Sequence, residues 1–219
     1  MTPDARHEPR DLTADPLDGD AAVASYLGER YDAVRGFGVL LADQGVLRGL
    51  IGPREMSRIW ERHLLNSAAV VPFLGEGTVA DVGSGAGLPG IVIAAMEPER
   101  PVVLIEPMER RVDWLLEASR TLNLTNVTVV RGRADEVTNV VRADAVTARA
   151  VASIDKLVKW CAPLLSVGGR MVFLKGRTAA DELDRAKYVL RKHGLTGSVH
   201  TAATIAGVEP TTVVSLARD

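Results

Sequence analysis

The stretch from Val79 to Gly90 reads Val-Ala-Asp-Val-Gly-Ser-Gly-Ala-Gly-Leu-Pro-Gly: an apolar run ending in an acid, then four glycines within eight residues. Glycine tolerates positive φ and leaves no side chain between the backbone and a ligand. A helix that begins just after such a turn aims its free N–H groups at the same spot. Each glycine falling in the helix start weakens it by roughly 0.5–1 kcal/mol, so a ligand-binding elbow explains the pattern better than a plain turn. The chain is thereby committed to a strand, a glycine turn and a helix, in that order.

Two fingerprints overlap there. Residues 85–90 match G-x-G-x-x-G, the dinucleotide signature. Residues 81–87 match acidic-x-Gly-x-Gly-x-Gly, the pattern of methyltransferases that use S-adenosylmethionine (SAM). In a dinucleotide fold the first glycine of the signature closes the first strand directly. Here the strand ends at Asp81 or Val82, and Gly85 comes too late. A carboxylate at the strand tip would also repel a pyrophosphate, whereas it suits a ligand with an α-ammonium group. Asp81, Gly83, Gly85 and Gly87 are therefore assigned to SAM, with a nicotinamide-dependent dehydrogenase as the alternative.

From Thr78 onward, strand-like runs alternate with helical ones. Strands are expected at 78–82, 101–106, 126–131, 143–148, 169–174, 197–204 and 211–217, and helices near 88–97, 108–123, 153–166 and 178–194. Such alternation implies a parallel sheet covered on both faces. Only a turn around Gly207 and Pro210 separates the last two strands, so they should pair antiparallel. The expected fold class is α/β: a Rossmann-like SAM-dependent methyltransferase fold, seven-stranded and mostly parallel, with an antiparallel last strand and N-terminal helices. Ahead of it, Val23, Tyr26, Leu27, Tyr31, Val34 and Phe37 recur at helical spacing, and Pro53 suits a helix start. Helices are expected over 20–51 and 53–74, so that 21–75 is a helical segment packed on a SAM-binding domain at 76–219. Residues 1–20 hold six acids, two arginines and three prolines, and are expected to be a disordered acidic tail.

Open α/β sheets bind ligands outside the carboxyl ends of their strands, so each strand end is a candidate. Glu106 closes the second strand 19 residues beyond Gly87, near the roughly 20 expected of an acid on ribose hydroxyls; otherwise it is a solvated acid. Asp135, beyond the third strand, either accepts from an adenine amino group or caps a short helix. Arg149 interrupts a small apolar run at the end of the fourth strand. A buried arginine needs an anion or carbonyl partner: the SAM carboxylate, a nucleic-acid phosphate, or a structural pair with Asp81 or Glu106. Lys175 and Arg177, at the fifth strand end, suit phosphates or stand as rim charges in water.

The net charge of −2 argues against a global attraction to nucleic acid, but without residues 1–20 the body carries 24 bases and 22 acids. Any RNA contact must therefore use a local patch. Cys161 is the one cysteine, which fits a reducing cytoplasm. It lies mid-helix with no activating neighbour and reads as a packed thiol. The four histidines show no metal spacing, so no metal is expected. No apolar stretch approaches the roughly 18 residues of a membrane span.

The run Arg62-His63-Leu64-Leu65-Asn66-Ser67, the loop from Asp81 to Gly90, the segment Ala148-Arg149-Ala150, and Leu174-Lys175-Gly176 occur in this order. Together, over roughly residues 20–218, they resemble the bacterial RsmG family, also called GidB. The resemblance implies a SAM-dependent guanine-N7 methyltransferase acting on 16S rRNA of the small ribosomal subunit or an assembly intermediate. It implies a SAM site built from Gly83, Leu88, the Ala134-Asp135 turn and Arg149, with Glu106 near the ribose. Asn66 departs from the family pattern, where many members carry Asp. Guanine N7 has no proton to remove, so no general base or nucleophile is expected, only positioning by Arg149 and Lys175. Arg58 and Arg62 are i, i+4 neighbours; with His63, Lys175 and Arg177 they form the expected RNA-contacting patch. Arg185, Lys187, Arg191, Lys192 and His193 read as a solvated helix face. The protein is expected to act as a cytoplasmic monomer, without membrane or DNA. A SAM-fold RNA-binding assembly factor without catalysis is the remaining alternative.

Overall fold

The computed structural model describes residues 11–149 and 151–218. Val79–Val82 (β1), Val102–Glu106 (β2), Val127–Arg131 (β3), Ala143–Arg149 (β4), Leu165–Lys175 (β5), Leu195–Ala202 (β6) and Thr211–Arg218 (β7) form one seven-stranded sheet. Its order is β3-β2-β1-β4-β5-β7-β6. β7 slots between β5 and β6 and runs antiparallel to both, while the pairs from β3 through β5 are parallel. The strand order reverses between β1 and β4, which makes their carboxyl ends the crevice where such sheets take ligands.

The N-terminal helices are α1 (Ala21–Leu27), α2 (Tyr31–Gln44) and the short α3 (Asn66–Ala68). They share one face of the sheet with α4 (Gly90–Met96) and α5 (Glu109–Thr121): Phe37, Trp60, Ile91 and Trp114 are buried in one cluster with Val79 and Leu104. The opposite face carries α6 (Ile154–Cys161), α7 (Ala179–Arg185) and α8 (Lys187–Lys192), packed on Ala80, Val82 and Val146. Odd and even residues of β1 thus enter different cores, as the two-residue period of a strand requires.

The strand boundaries expected from the sequence agree with the sheet to within a few residues, but the helices are more broken. α1 stops at Gly28, whose φ of +55° interrupts the 20–51 run. The 53–74 region divides into 3-10 turns, a π-helical stretch over Trp60–Leu65, and α3. The 178–194 helix divides at Ala186.

The acidic tail needs a correction. Residues 1–10 lie outside the described residues, but 11–20 pack on the body. Leu12 is fully buried, and Asp15 accepts the Trp60 N–H at 2.8 Å. Asp18 pairs with Arg35 at 2.7 Å, and Asp20 caps α1 through the Ala22 N–H. Composition shows too few large apolar groups to hold the segment, whereas Leu12 finds a buried place, Asp15 and Asp18 find distant donors, and Asp20 finds the first turn of α1. Leu12→Ala should therefore destabilise the protein by about 2–5 kcal/mol, as for a buried core leucine. Urea denaturation would measure this, and a change below about 0.5 kcal/mol, typical of an exposed site, would return the segment to a loose tail.

Candidate functional site

The glycine turn follows β1 directly. Gly83, Gly85 and Gly87 have φ of +71°, +55° and +96°, a region open to glycine and strained for other residues. The Gly83 N–H donates to the Ile105 carbonyl at 2.9 Å, and the Gly85 N–H to Glu106 Oε2 at 2.9 Å. The other carboxylate oxygen of Glu106 accepts the Met108 N–H at 3.0 Å. Glu106 is thus a buried brace between two loops and not a solvated strand-end acid. Each of its oxygens keeps a second lone pair for a further donor.

Asp81 lies wholly buried beneath this turn. Its Oδ2 accepts the Gly90 N–H at 3.0 Å, at the start of α4, while its Oδ1 has no hydrogen-bond partner. Thr147 is its Cα partner across β1 and β4, and Thr147 Oγ1 is also buried without a partner. Two unmet polar groups therefore lie side by side at the switch point, where buried polar atoms are ordinarily satisfied. Burial pushes the Asp81 carboxyl up to about 7, against the lowering pull of the Gly90 N–H.

A cavity of about 230 Å³ opens beside Gly83, and its walls include Val82, Ile105, Pro107, Val151 and Trp160, with Ala134 and Asp135 along one edge. Of the expected cofactor residues, Gly83, Ala134 and Asp135 reach this cavity. Leu88 does not: it is buried in the core, and a Cβ on neighbouring Gly87 would meet Ile91 at 2.8 Å and Phe37 at 3.2 Å. Asp135 caps no helix, since only turns follow it, and its carboxylate faces Arg133 at 3.7 Å. Pro107, Val151 and Trp160 were not singled out from sequence. Pro107 and Val151 had a signal, each lying one or two residues past a strand end; Trp160 reads as an ordinary core aromatic.

Arg149 turns away from this cavity. Its guanidinium donates to the Arg62 carbonyl at 3.0 Å and to Asn66 Oδ1 at 3.4 Å, and sits 3.3 Å from His63 Nδ1. The structure groups it with the residues expected to contact RNA, in a cleft of about 490 Å³ that also carries Arg58, Arg62, Asn66, Lys175 and Arg177. Three of those cations are paired there: Arg58 with Glu61 at 2.8 Å, Lys175 with Glu182 at 2.7 Å, and Arg177 with Glu209 at 3.0 Å. Lys175 is also bound to the Ala152 carbonyl and nearly buried, so it is a brace and not an open rim charge. Arg62 and Arg149 have no carboxylate within ion-pair distance among the described residues and carry the cleft's uncompensated charge.

His63 also differs from expectation. It is buried, with Glu55 3.5 Å from Nε2. Burial first, and the Arg149 charge second, push its pKa down to about 4. It is neutral at pH 7 and supports Arg149 instead of meeting solvent. Cys161 is buried and its thiol is raised well above its ordinary value by burial, in keeping with a packed side chain.

Residues 30–206 match the GidB family, described as rRNA small subunit methyltransferase G. The ribosomal RNA small subunit methyltransferase G of Salinispora arenicola (strain CNS-205) is 47% identical over 220 residues, covering 96% of this chain and 90% of that protein. Its counterpart in Paenarthrobacter aurescens (strain TC1) is 45% identical over 211 residues, covering 94% and 95% respectively. A solved structure of a SAM dependent methyltransferase from Aquifex aeolicus matches with a TM-score of 0.57 at 18% identity, covering 81% of this chain and 99% of that one, a likeness of fold alone. A sheet with this strand order, a glycine turn at its switch point and a match over most of the length agree: the chain belongs to the rRNA small subunit methyltransferase G (GidB) family.

Proposed function

We propose that this enzyme, a cytoplasmic monomer, transfers the methyl group of SAM to N7 of a guanine in 16S rRNA. The observation that carries the reading is the adjacency of two unlike sites on one sheet edge. A small, largely apolar cavity lies beside the glycine turn, and a larger cleft with uncompensated arginines lies beyond β4. The first suits a flat purine on a ribose, the second a phosphate-bearing polymer.

The residues present fit SAM. Asp81 Oδ1 and Thr147 Oγ1, buried and unpartnered at the ends of β1 and β4, would be acceptors for an α-ammonium group through a water. The space above Gly83 would be filled by a Cβ, which would meet Val151 at 2.9 Å. Val82, Ile105, Pro107, Val151 and Trp160 would enclose the adenine, Ala134 and Asp135 would meet its edge, and Glu106 has lone pairs left for ribose hydroxyls. SAM would supply a methyl group on a sulfonium: the N7 lone pair would attack the methyl carbon in line, the N–C bond forming as the S–C bond breaks and its electron pair leaves on the neutral thioether. The chain's own residues then need only orient the base and exclude water. Arg149 and Arg62 would hold phosphates next to the target base. N7 faces the major groove, which is too narrow to read in A-form RNA, so the target must lie in a loop or be extruded.

Small ribosomal subunits from a strain lacking this enzyme should gain one 7-methylguanosine in 16S rRNA when incubated with the protein and SAM, detected by mass spectrometry of nuclease fragments. Absence of that product would overturn the reading. Arg62→Glu should raise KM for the subunit about tenfold or more, the scale of a lost charge-assisted hydrogen bond, without changing SAM affinity. A shift in SAM affinity instead would move Arg62 to the cofactor side.

A further inference from the structure

Neither site uses the second basic cluster, and the structure gives it more than the character of a solvated helix face. Tyr188, on α8, is 78% exposed. On α8 its surface neighbours three and four positions on are Arg191 and Lys192, both exposed; Asp184 and Arg185, at the end of α7 across the break at Ala186, precede it and are exposed too. Arg185, Arg191 and Lys192 have no carboxylate within ion-pair distance among the described residues. Lys187 is the member that is paired, with Asp184. From Ala186 to His193 the chain contains no acid. Beside this face runs a groove of about 440 Å³ between the α7–α8 pair and β6. Leu183, Leu190 and Leu195 are among its apolar lining, and Lys187 and Arg191 also line it.

The position matters as much as the composition. α7 begins two residues beyond Arg177, on the border of the basic cleft, and α8 ends at Lys192. An aromatic ring exposed among unpaired cations is well suited to a base flanked by phosphates. A protein partner would call for acids to meet the arginines and an apolar knob for the groove; the cations and the stackable ring together fit the repeating charge and flat bases of RNA more closely.

We propose that the Tyr188 face and its groove form a second docking surface, which takes an unpaired segment of ribosomal RNA away from the reacting guanine. Tyr188 stacks on a base, while Arg185, Arg191 and Lys192 hold the adjoining phosphates. The proposal rests on small-subunit rRNA being the substrate.

The test compares the full-length wild type with Tyr188→Ala, Tyr188→Trp and the double variant Arg191→Gln/Lys192→Gln. Readouts are steady-state methylation of small subunits and fluorescence anisotropy with a 20-nucleotide oligouridylate. Base–aromatic stacking carries a factor of roughly 5–150. Tyr188→Ala should therefore raise KM for the subunit and weaken oligouridylate binding by about tenfold, with kcat and SAM affinity unchanged; Tyr188→Trp should restore both. The double variant should lower the slope of log affinity against log salt by about 1.4, at roughly 0.7 per single-strand phosphate contact. Equal melting temperatures would exclude a folding defect, which these exposed positions do not predict. Unchanged KM and anisotropy in both Tyr188→Ala and the double variant would overturn the proposal. So would a KM effect with no change in oligouridylate binding, which would make the partner a ribosomal protein. Failure of the wild type to methylate any subunit would instead overturn the proposed function.

Discussion

Asp81→Asn should weaken SAM binding about 100-fold while leaving the ligand-free protein as stable as the wild type or more so. The carboxylate is fully buried, with one oxygen on the Gly90 N–H and the other unmet. An asparagine keeps the acceptor for Gly90 and turns its amide nitrogen towards the position of Oδ1, where it would oppose an α-ammonium. Removing one partner of a buried charge pair costs about 3–5 kcal/mol, and 1.4 kcal/mol is tenfold, so a 100-fold loss is the lower end. The wild type should also show a pH dependence of definite sign. Burial raises this carboxyl from its ordinary 3.8 to about 7. The retained proton therefore stabilises the ligand-free fold most at low pH, and that contribution is lost as pH rises through about 7. A bound ammonium favours the charged form, so binding expels the proton. Affinity should be flat above about pH 8 and fall about tenfold between pH 8 and pH 6, whereas Asp81→Asn should bind weakly and with little slope over that range. Isothermal titration at three pH values would decide it. Binding by Asp81→Asn within threefold of wild type would remove Asp81 from the cofactor site.

Gly90→Ala should be the most damaging single-atom change in the glycine loop. A Cβ there would collide with Leu104 and approach Asp81 Oδ2 to 2.7 Å. Gly90 has an ordinary helical φ, so the demand is for space and not for conformational freedom. Because α4 is packed on β1 and β2 at this point, the collision cannot be relieved without lifting the helix start. That breaks the Gly90 N–H bond to Asp81. Overpacking of about 1–3 kcal/mol adds to about 0.5–1.5 kcal/mol for that bond, so a loss of roughly 2–4 kcal/mol in urea denaturation is expected, together with loss of SAM binding. Gly176→Ala is the control: a Cβ there meets nothing within 4 Å, and stability should change by less than about 0.5 kcal/mol. Equal behaviour of the two variants would mean that the α4 contact relaxes easily and that Gly90 is not required by space.

The parts of this molecule legible in its sequence are those governed by short-range periodicity. The seven strands could be placed because apolar runs alternate with helical spacing. The glycine turn was legible because positive φ at Gly83, Gly85 and Gly87 leaves few other choices of residue. His63 was misplaced for a local reason that the sequence hides: Trp60–Leu65 winds as a π-helix, and its wider turn carries His63 inward while Arg62 stays in solvent. Lys175 was misplaced for a distant one. Its partner Glu182 arrives on α7, and its other partner is the Ala152 carbonyl, contacts that exist only once β5 and α7 are folded against the loop after β4.

Arg149 shows the same division most clearly. Its residue type and its place at a strand end could be read directly, and so could its need for a partner. The partners expected at a strand end were an anionic ligand or a pair with Asp81 or Glu106; the packing of residues 62–66 across the end of β4 instead gives it the Arg62 carbonyl, His63 and Asn66. The acids at positions 15, 18 and 20 follow suit: as composition they suggest a loose tail, and in the fold each is matched to a donor. The sheet, the glycine elbow and the family follow from periodicity, backbone sterics and motif spacing, all of which are local to the chain. Which charges serve the structure and which remain for a ligand follows from the packing, because a charge's partner is set by burial and by residues far away in the chain.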